Sequence, residues 1–492
     1  MNKYLRAISA NMIFFIISTV FFLVITPVAI KVMGEEFYGL WSILIALTLL
    51  SNVGALGINA IVMKFSSEAA AGNVEEGWNR VLTAGYLLVG AMAILITVVF
   101  VFSRNLIADN IRTSIEFKEQ FRQALLWVAA GILPQFLSLV PQGFLIGQLK
   151  NRVARSIALF SSVSLWGGAV VLTLFEKNLV HITAWCFLTN LLAFGFYILS
   201  IQRHGWQFQW SFHFLTFKKM LNFSGWMFLQ SLSIALFSQC DRLIVGVTLG
   251  PALAGVYSVG TSIALRLSLV VGQVTEVMLP YASLKDSLGH QQSLYLTFRH
   301  LSNYVGLFLA LTSSFLILWM QEILSLWISP DYAVRYANPF CVLIIAYSFL
   351  SLSRPAHQTL TGIGRVRFAA LIYFFSTVLM LLGVFILSQR FGLLGAATAD
   401  VMMIFLLTYN LYIYYRYGKS FSWLVIFTDL GWGFFLPIIV YALSLLFPQI
   451  SFVHKSVATL VLISCFAFVM ASDQVLKRSV SQLIQTTAKN RS

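Results

Sequence analysis

The chain has 492 residues, 59% of them hydrophobic and only 10% charged, with a formal net charge of +15 and a mean hydropathy of +0.85. A soluble globular domain carries about 25% charged residues, so this composition excludes that class and leaves a polytopic membrane protein. The positive charge is spread over many short loops, which points to orientation of membrane spans rather than to nucleic acid.

The first apolar stretch, 9–30, follows Lys3 and Arg6. It is too long for the apolar region of a signal peptide and no A-x-A site follows it, so it reads as a first transmembrane helix. Further apolar runs of about 20 residues, the length that crosses a bilayer core, lie at 38–61, 81–103, 124–147, 156–175, 180–201, 223–247, 252–279, 301–320, 338–362, 368–389, 395–415, 425–447 and 452–472. The expected fold is all-α, with fourteen transmembrane helices. The four cysteines, Cys186, Cys240, Cys341 and Cys465, sit singly in apolar runs and suggest neither a metal site nor a disulfide framework. Between spans six and seven, Trp210 to Leu221 is rich in aromatics, with Lys218 and Lys219 among them. It reads as an amphipathic interfacial segment.

With a cytoplasmic N-terminus, twenty of the 32 Lys and Arg fall on the inside, nine outside and three within spans. That bias predicts both termini in the cytoplasm, with a basic cytoplasmic tail. The sequence also repeats. Met33-Gly34-Glu35-Glu36-Phe37-Tyr38-Gly39-Leu40-Trp41-Ser42-Ile43 aligns with Leu249-Gly250-Pro251-Ala252-Leu253-Ala254-Gly255-Val256-Tyr257-Ser258-Val259 at an offset of 216, which also maps Gln142 onto Gln358. Six spans per copy predict a parallel repeat of two six-helix lobes, 1–205 and 206–420, related by an axis along the membrane normal. The segment 421–492 adds two helices outside the repeat.

There is no G-x-x-x-x-G-K-[ST] loop, no H-E-x-x-H and no G-x-S-x-G, so neither ATP hydrolysis nor another catalytic activity is expected, and no cofactor is implied. The informative residues are charges inside spans, each costing about 2.5–3.5 kcal/mol near a helix centre on insertion scales. Three arginines qualify: Arg242, Arg266 and Arg354. In span ten, Tyr347, Ser351, Arg354, Gln358, Thr361 and Arg365 recur at helical spacing on one stripe. Gly255, Ser262, Arg266 and Gln273 share a face in span eight, with Glu276 nearby, as do Ser224, Ser231, Ser238 and Arg242 in span seven. Converging stripes would line a cationic cavity. The first copy carries Leu50 and Ser138 where the second has Arg266 and Arg354, and offers a neutral stripe of Gln135, Ser138 and Gln142; its acids all fall in loops. Arginines facing amides and hydroxyls suit a cargo with anionic and sugar-like parts. Other readings stay open. Arg242 could pair with Asp241, and Arg266 with Glu276 or Asp400. His357 could be a packing residue or a proton relay. Asp241, Glu276, Asp400 and His357 are the candidates for ion coupling.

Asp241 through Ser258, DRLIVGVTLGPALAGVYS, resembles the D-R-x-x-I/V-G-x-x-L-G…G-x-Y-S segment of Wzx-type bacterial polysaccharide flippases, and Gly34 to Trp41 resembles their first inter-helix turn. Those proteins belong to the MOP superfamily, with the MATE drug exporters and the lipid II flippases. The resemblance implies a transporter in the bacterial cytoplasmic (inner) membrane. It would move an undecaprenyl-diphosphate-linked oligosaccharide between leaflets for O-antigen (lipopolysaccharide), capsule or exopolysaccharide biosynthesis. Its partners would be that lipid-linked sugar, membrane lipids and other polysaccharide assembly proteins, with no nucleic acid. Cavity arginines carry over by position and type onto Arg242, Arg266 and Arg354. Met33-Gly34-Glu35-Glu36 stands where a lipid II flippase has R-x-L-G-x-x-R-D, which argues against a peptidoglycan precursor. The alternatives are a small-solute or drug antiporter of the same fold, disfavoured as a drug/cation antiporter by the lack of buried acids in the first copy, and a membrane-embedded glycosyltransferase or polymerase, disfavoured by short outer loops.

Overall fold

The computed structural model describes residues 2–472 apart from 56–57, 60, 64–65, 67–76, 112, 149, 204–208, 277, 419–422 and 448–451. Side chains at 2–13, 15, 52–53, 219, 222–231, 280, 283–284, 287, 424 and 465–472 also lie outside the described set. Glu68, Glu75, Glu76, Arg112 and the basic tail therefore lie outside the described residues, as do the side chains of Ser224, Ser231 and Cys465. All regular elements among the described residues are helical. They are α1 (Asn2–Met33), α2 (Glu35–Ser51), α3 (Trp78–Asp109), α4 (Ile115–Gly147), α5 (Asn151–Phe175) and α6 (Leu179–Arg203). Then come α7 (Phe214–Ala235), α8 (Asp241–Leu249), α9 (Pro251–Thr275), α10 (Met278–Ser287), α11 (Gln291–Trp327) and α12 (Pro330–Leu352). The last are α13 (Arg354–Gly362), α14 (Val366–Asp400), α15 (Thr408–Tyr417), α16 (Trp423–Leu446) and α17 (Phe452–Ser472).

Eleven segments among the described residues are long and apolar enough to cross a membrane. One of them, Val366–Tyr417, has 52 residues, about 78 Å at 1.5 Å per residue, more than twice a bilayer core of about 30 Å. Its chain breaks at Gly392, φ 60° and ψ −142°, and beyond the break Ala399 and Met402 come back against Gly383. It is a hairpin of two arms. Counted so, and with the shorter Glu35–Ser51 and Phe452–Ser464, the architecture is consistent with fourteen spans.

Local chemistry sets the helix ends. Ser114 caps α4 by accepting from the Phe117 N–H, and Ser329 caps α12 by accepting from Tyr332, with Pro330 at the first helical position. After α13, Gly364 takes φ +78°, while the Arg365 N–H donates to the Leu360 carbonyl and that of Gly364 to Thr361, a glycine-terminated helix end. The repeated motif has one local structure in both copies. Gly34 (φ +82°) and Gly250 (φ +95°) each end a helix in the left-handed region that glycine tolerates, and a new helix starts at the next residue.

Two compact units form. The first comprises Met1–Ser262 with Ala370–Met402, the second Ile263–Ala369 with Met403–Ser492. The first division falls inside α9. In the first unit α4 packs along α3 and α6, and α5 lies against α1 and α6. Its core includes Ile61, Val81, Ile132, Phe136, Val140 and Phe144. The two copies of the motif meet here: a Cβ on Gly255 would sit 2.9 Å from the Gly39 Cα, and one on Gly39 would fall 1.7 Å from the Pro251 carbonyl oxygen. Close backbone approach through small residues is the usual means of helix association in lipid.

In the second unit α11 is the central helix, packed against α12, α16 and α17. Gly306 and Gly433 allow the approach of α11 and α16, a Cβ on either meeting backbone oxygen within 2.8 Å. Beside that crossing, Arg299 Nε donates to Asp429 Oδ2 at 2.6 Å and the Tyr414 hydroxyl donates to the same oxygen at 3.0 Å. On α17, Lys455 pairs with Glu322, and Thr459 accepts from the Trp319 indole N–H. The two helices outside the repeat are thus bolted to α11. The segment expected at the interface is not a separate element. Residues 209–213 are held to α3 by N–H groups of Gln209 and Ser211, which donate to Asn79 Oδ1 and Thr83 Oγ1. The rest opens α7, with Thr216 and Met220 buried and Phe214, Leu215 and Leu221 exposed.

Candidate functional site

Arg354 sits where span ten breaks. Pro355 has no N–H, so α12 cannot continue through it; Leu352 ends one helix, Ser353 makes the turn and Arg354 opens α13. Above the break Tyr347 and Ser351 are buried; below it Arg354, Gln358 and Thr361 are half-buried and Arg365 is exposed. The polar stripe therefore opens gradually along its length. Arg354 Nη2 donates to Ser268 Oγ on α9 at 3.3 Å, while its Nε is buried without a partner. Arg354 joins none of the ion pairs among the described residues, which are Arg122–Asp109, Arg122–Glu119, His181–Glu176, Arg299–Asp429 and Lys455–Glu322. A half-buried guanidinium that meets a serine and, among the described residues, no carboxylate is a ready anion site.

The other second-unit candidates vary. Arg266 is half-buried on α9, two residues from Ser268 and so about 200° round the helix from it. Arg354 is therefore directed to a different face of α9 from the one bearing Arg266. Gln273 and Glu276 are exposed at the end of α9, and His357 on α13 lies 5.8 Å, ring to ring, from Tyr409. In the first unit, Ser138 spends its hydroxyl on the Pro134 carbonyl at 2.7 Å, and Gln142 Oε1 accepts from Asn59 Nδ2 at 2.7 Å. Those two are engaged within their own bundle.

Arg242 lies in a second cluster, also within the first unit. A π turn at Leu236–Cys240 precedes α8, and the extra residue it accommodates rotates α8 by about 100° relative to an unbroken helix. The regular stripe expected through Ser238 to Arg242 is broken at that turn. Asp241 and Arg242 are 1% and 8% exposed. The adjacent pair is joined through the backbone: the Arg242 N–H donates to Asp241 Oδ1 at 2.7 Å, and no ion pair between the two side chains appears among the described residues. Instead Arg242 Nη2 donates to Thr261 Oγ1 at 3.2 Å, and its Nε has no partner. Asp400, 1% exposed at the end of α14, accepts from the Tyr257 hydroxyl at 2.7 Å. Its Oδ1 is buried without a partner.

Tyr257 and Asp429 are the important residues that periodicity did not single out. Tyr257 was legible as the aromatic of the G-x-Y-S motif, and Asp429 as an acid inside an apolar run.

Residues 31–333, well over half of the chain, match the polysaccharide biosynthesis protein family. The chain belongs to that family. A Shigella flexneri protein named for O-antigen transport is 24% identical over 189 residues, 38% of this chain and 44% of the relative. The chain thus spans less than half the length of that relative. Two solved structures share the fold. An inward-facing MATE multidrug transporter of the MOP superfamily has a TM-score of 0.67 at 12% identity, over 86% of this chain and 96% of that one. The lipid II flippase MurJ in an inward closed conformation has a TM-score of 0.66 at 14% identity, over 94% of this chain and 100% of that one. The fold expected from span count and motif is the one these structures have.

Proposed function

We propose that this polysaccharide biosynthesis protein is a flippase. Its cargo is an undecaprenyl-diphosphate-linked oligosaccharide, moved from the inner to the outer leaflet of the bacterial cytoplasmic membrane for O-antigen, capsule or exopolysaccharide assembly. The observation that carries this reading is Arg354, half-buried, with its Nε unpartnered and no carboxylate paired with it among the described residues. A diphosphate has to cross a core of about 30 Å, and a guanidinium fork binds phosphate oxygens through two parallel hydrogen bonds. Arg266, on another face of α9, adds positive charge to the same unit, and the amides of Gln358 and Gln273 with the Tyr347 hydroxyl suit the sugar. The polyprenyl tail stays among membrane lipids while the head group passes by alternating access. Both termini are cytoplasmic in this reading, and other assembly proteins take the product at the outer face. The family match, the relative named for O-antigen transport and the shared fold with a lipid II flippase all support it.

The test is removal of the chain from a cell that displays a surface glycan. Lipid-linked repeat units should accumulate on the inner leaflet while display is lost, and the chain supplied in trans should reverse both. Drug efflux should not change. A strain that loses drug resistance and keeps its glycan would instead support the antiporter reading, which rests on the fold shared with a MATE transporter.

A further inference from the structure

The first unit holds two buried acids that the handling of an anionic cargo does not require. Asp241 on α8 and Asp400 on α14 are each 1% exposed, and the Tyr257 hydroxyl on α9 lies beside both. It donates to Asp400 Oδ2 at 2.7 Å, with Asp241 close by on the neighbouring helix. Arg242 follows Asp241 and reaches Thr261, Tyr38 on α2 lies near Arg242, and the Cys240 thiol adjoins Asp241. Among the described residues no group of three or more His, Cys, Asp and Glu is placed to hold a metal ion.

The charge count decides the occupant. Two ionised carboxylates and one guanidinium would leave a net negative charge buried, at a cost of several kcal/mol per uncompensated ion. One proton makes the cluster neutral. Asp400 Oδ1 is buried without a partner, which costs less on a neutral acid than on a charged carboxylate, so a proton on Asp400 suits the burial. As an acid, Asp400 can donate to the tyrosine oxygen while the tyrosine donates onward to Asp241. That makes a relay of carboxyl, phenol and carboxylate across three helices. A metal cation suits the place less well, because hard cations such as calcium take six to eight oxygen ligands and Arg242 already brings a positive charge.

We infer that Asp400, Tyr257 and Asp241 form a proton-binding site, with one exchangeable proton held on the carboxyl pair and relayed through the tyrosine. Its use in coupling transport to a proton gradient rests on the flippase reading; the site itself does not.

Infrared spectra of the full chain in lipid nanodiscs at neutral pH test this without any cargo. The wild-type protein should show a protonated-carboxyl C=O stretch that Asp400→Asn removes. Asp241→Asn should remove it too, because Asp400 then ionises to balance Arg242. Tyr257→Phe should keep the band and shift its frequency. Monodispersity on size exclusion, expected of the near-isosteric Asn variants, reports that they are folded. If Asp400→Asn leaves the protonated band intact and lowers the ionised-carboxylate band, Asp400 is charged and the inference is overturned. A carboxyl spectrum that changes with added Na⁺ but not K⁺ overturns it as well, in favour of a metal cation. Should the band behave as expected while loss of the chain leaves surface glycan untouched, only the flippase reading fails.

Discussion

Replacing Arg354 with alanine deletes a guanidinium that carries five N–H donors, of which one Nη2 bond reaches Ser268 at 3.3 Å and the buried Nε has no partner. A diphosphate held by two charge-assisted hydrogen bonds, at about 1.5–3 kcal/mol each, would lose about 3–6 kcal/mol of binding, or about two to four decades of affinity. Folding loses much less, since the bond given up is a neutral serine contact worth about 0.5–1.5 kcal/mol. The expected outcome is loss of surface glycan with normal amounts of protein in the membrane, read by glycan staining beside immunoblots. Arg354→Lys keeps the charge but not the fork, and should restore display in part. If abundance falls together with display, the arginine is holding helices together. If Arg354→Ala combined with Arg266→Ala still gives full display, a cationic site is not how this protein works.

The glycine crossing should be intolerant. Gly39→Ala puts a Cβ into the Pro251 carbonyl, whereas Gly90→Ala meets nothing within 4 Å; overpacking of the first kind costs about 1–3 kcal/mol, so detergent melting should fall for Gly39→Ala and hold or rise for Gly90→Ala. Asp429→Asn weakens the contacts to both Arg299 and Tyr414. It should lower the same melting temperature more than Tyr414→Phe, which removes one hydrogen bond of about 0.5–1.5 kcal/mol; equal effects would mean the arginine contact contributes nothing. Impermeant thiol reagents applied to intact cells should label Lys177→Cys and spare Arg152→Cys and Arg365→Cys, and the opposite pattern would invert the proposed topology.

The helical architecture was legible because bilayer thickness imposes a length on every span, and that length is written directly in the apolar runs. The repeat was legible for a steric reason: Gly34 and Gly250 both take positive φ, which leaves a residue-type mark. The sites were legible only in part. Periodicity assumes one uniform helix, and it fails where the π turn before Asp241 changes the register of a stripe. The carboxyl cluster was hidden because Tyr257 and Asp400 are 143 residues apart. Nothing local in either helix announces such a partner. Asp429 was overlooked for a related reason: its partner Arg299 reads as an ordinary cytoplasmic loop charge until α11 is seen to carry it beside α16.

The contact between Gly39 and Gly255 bears on how a duplicated gene can drift. The two residues descend from one codon if the repeat arose by duplication, yet in the folded chain each fills the space denied to the other's side chain. Neither copy can acquire a larger residue there by itself, and both acquiring one is worse, so the pair stays locked. At the offset of 216 Ser138 corresponds to Arg354, so on the same history the two positions have come to differ by a full charge. On that history, close contact holds Gly39 and Gly255 to glycine, while the position of Ser138 and Arg354 was left open to a new charge.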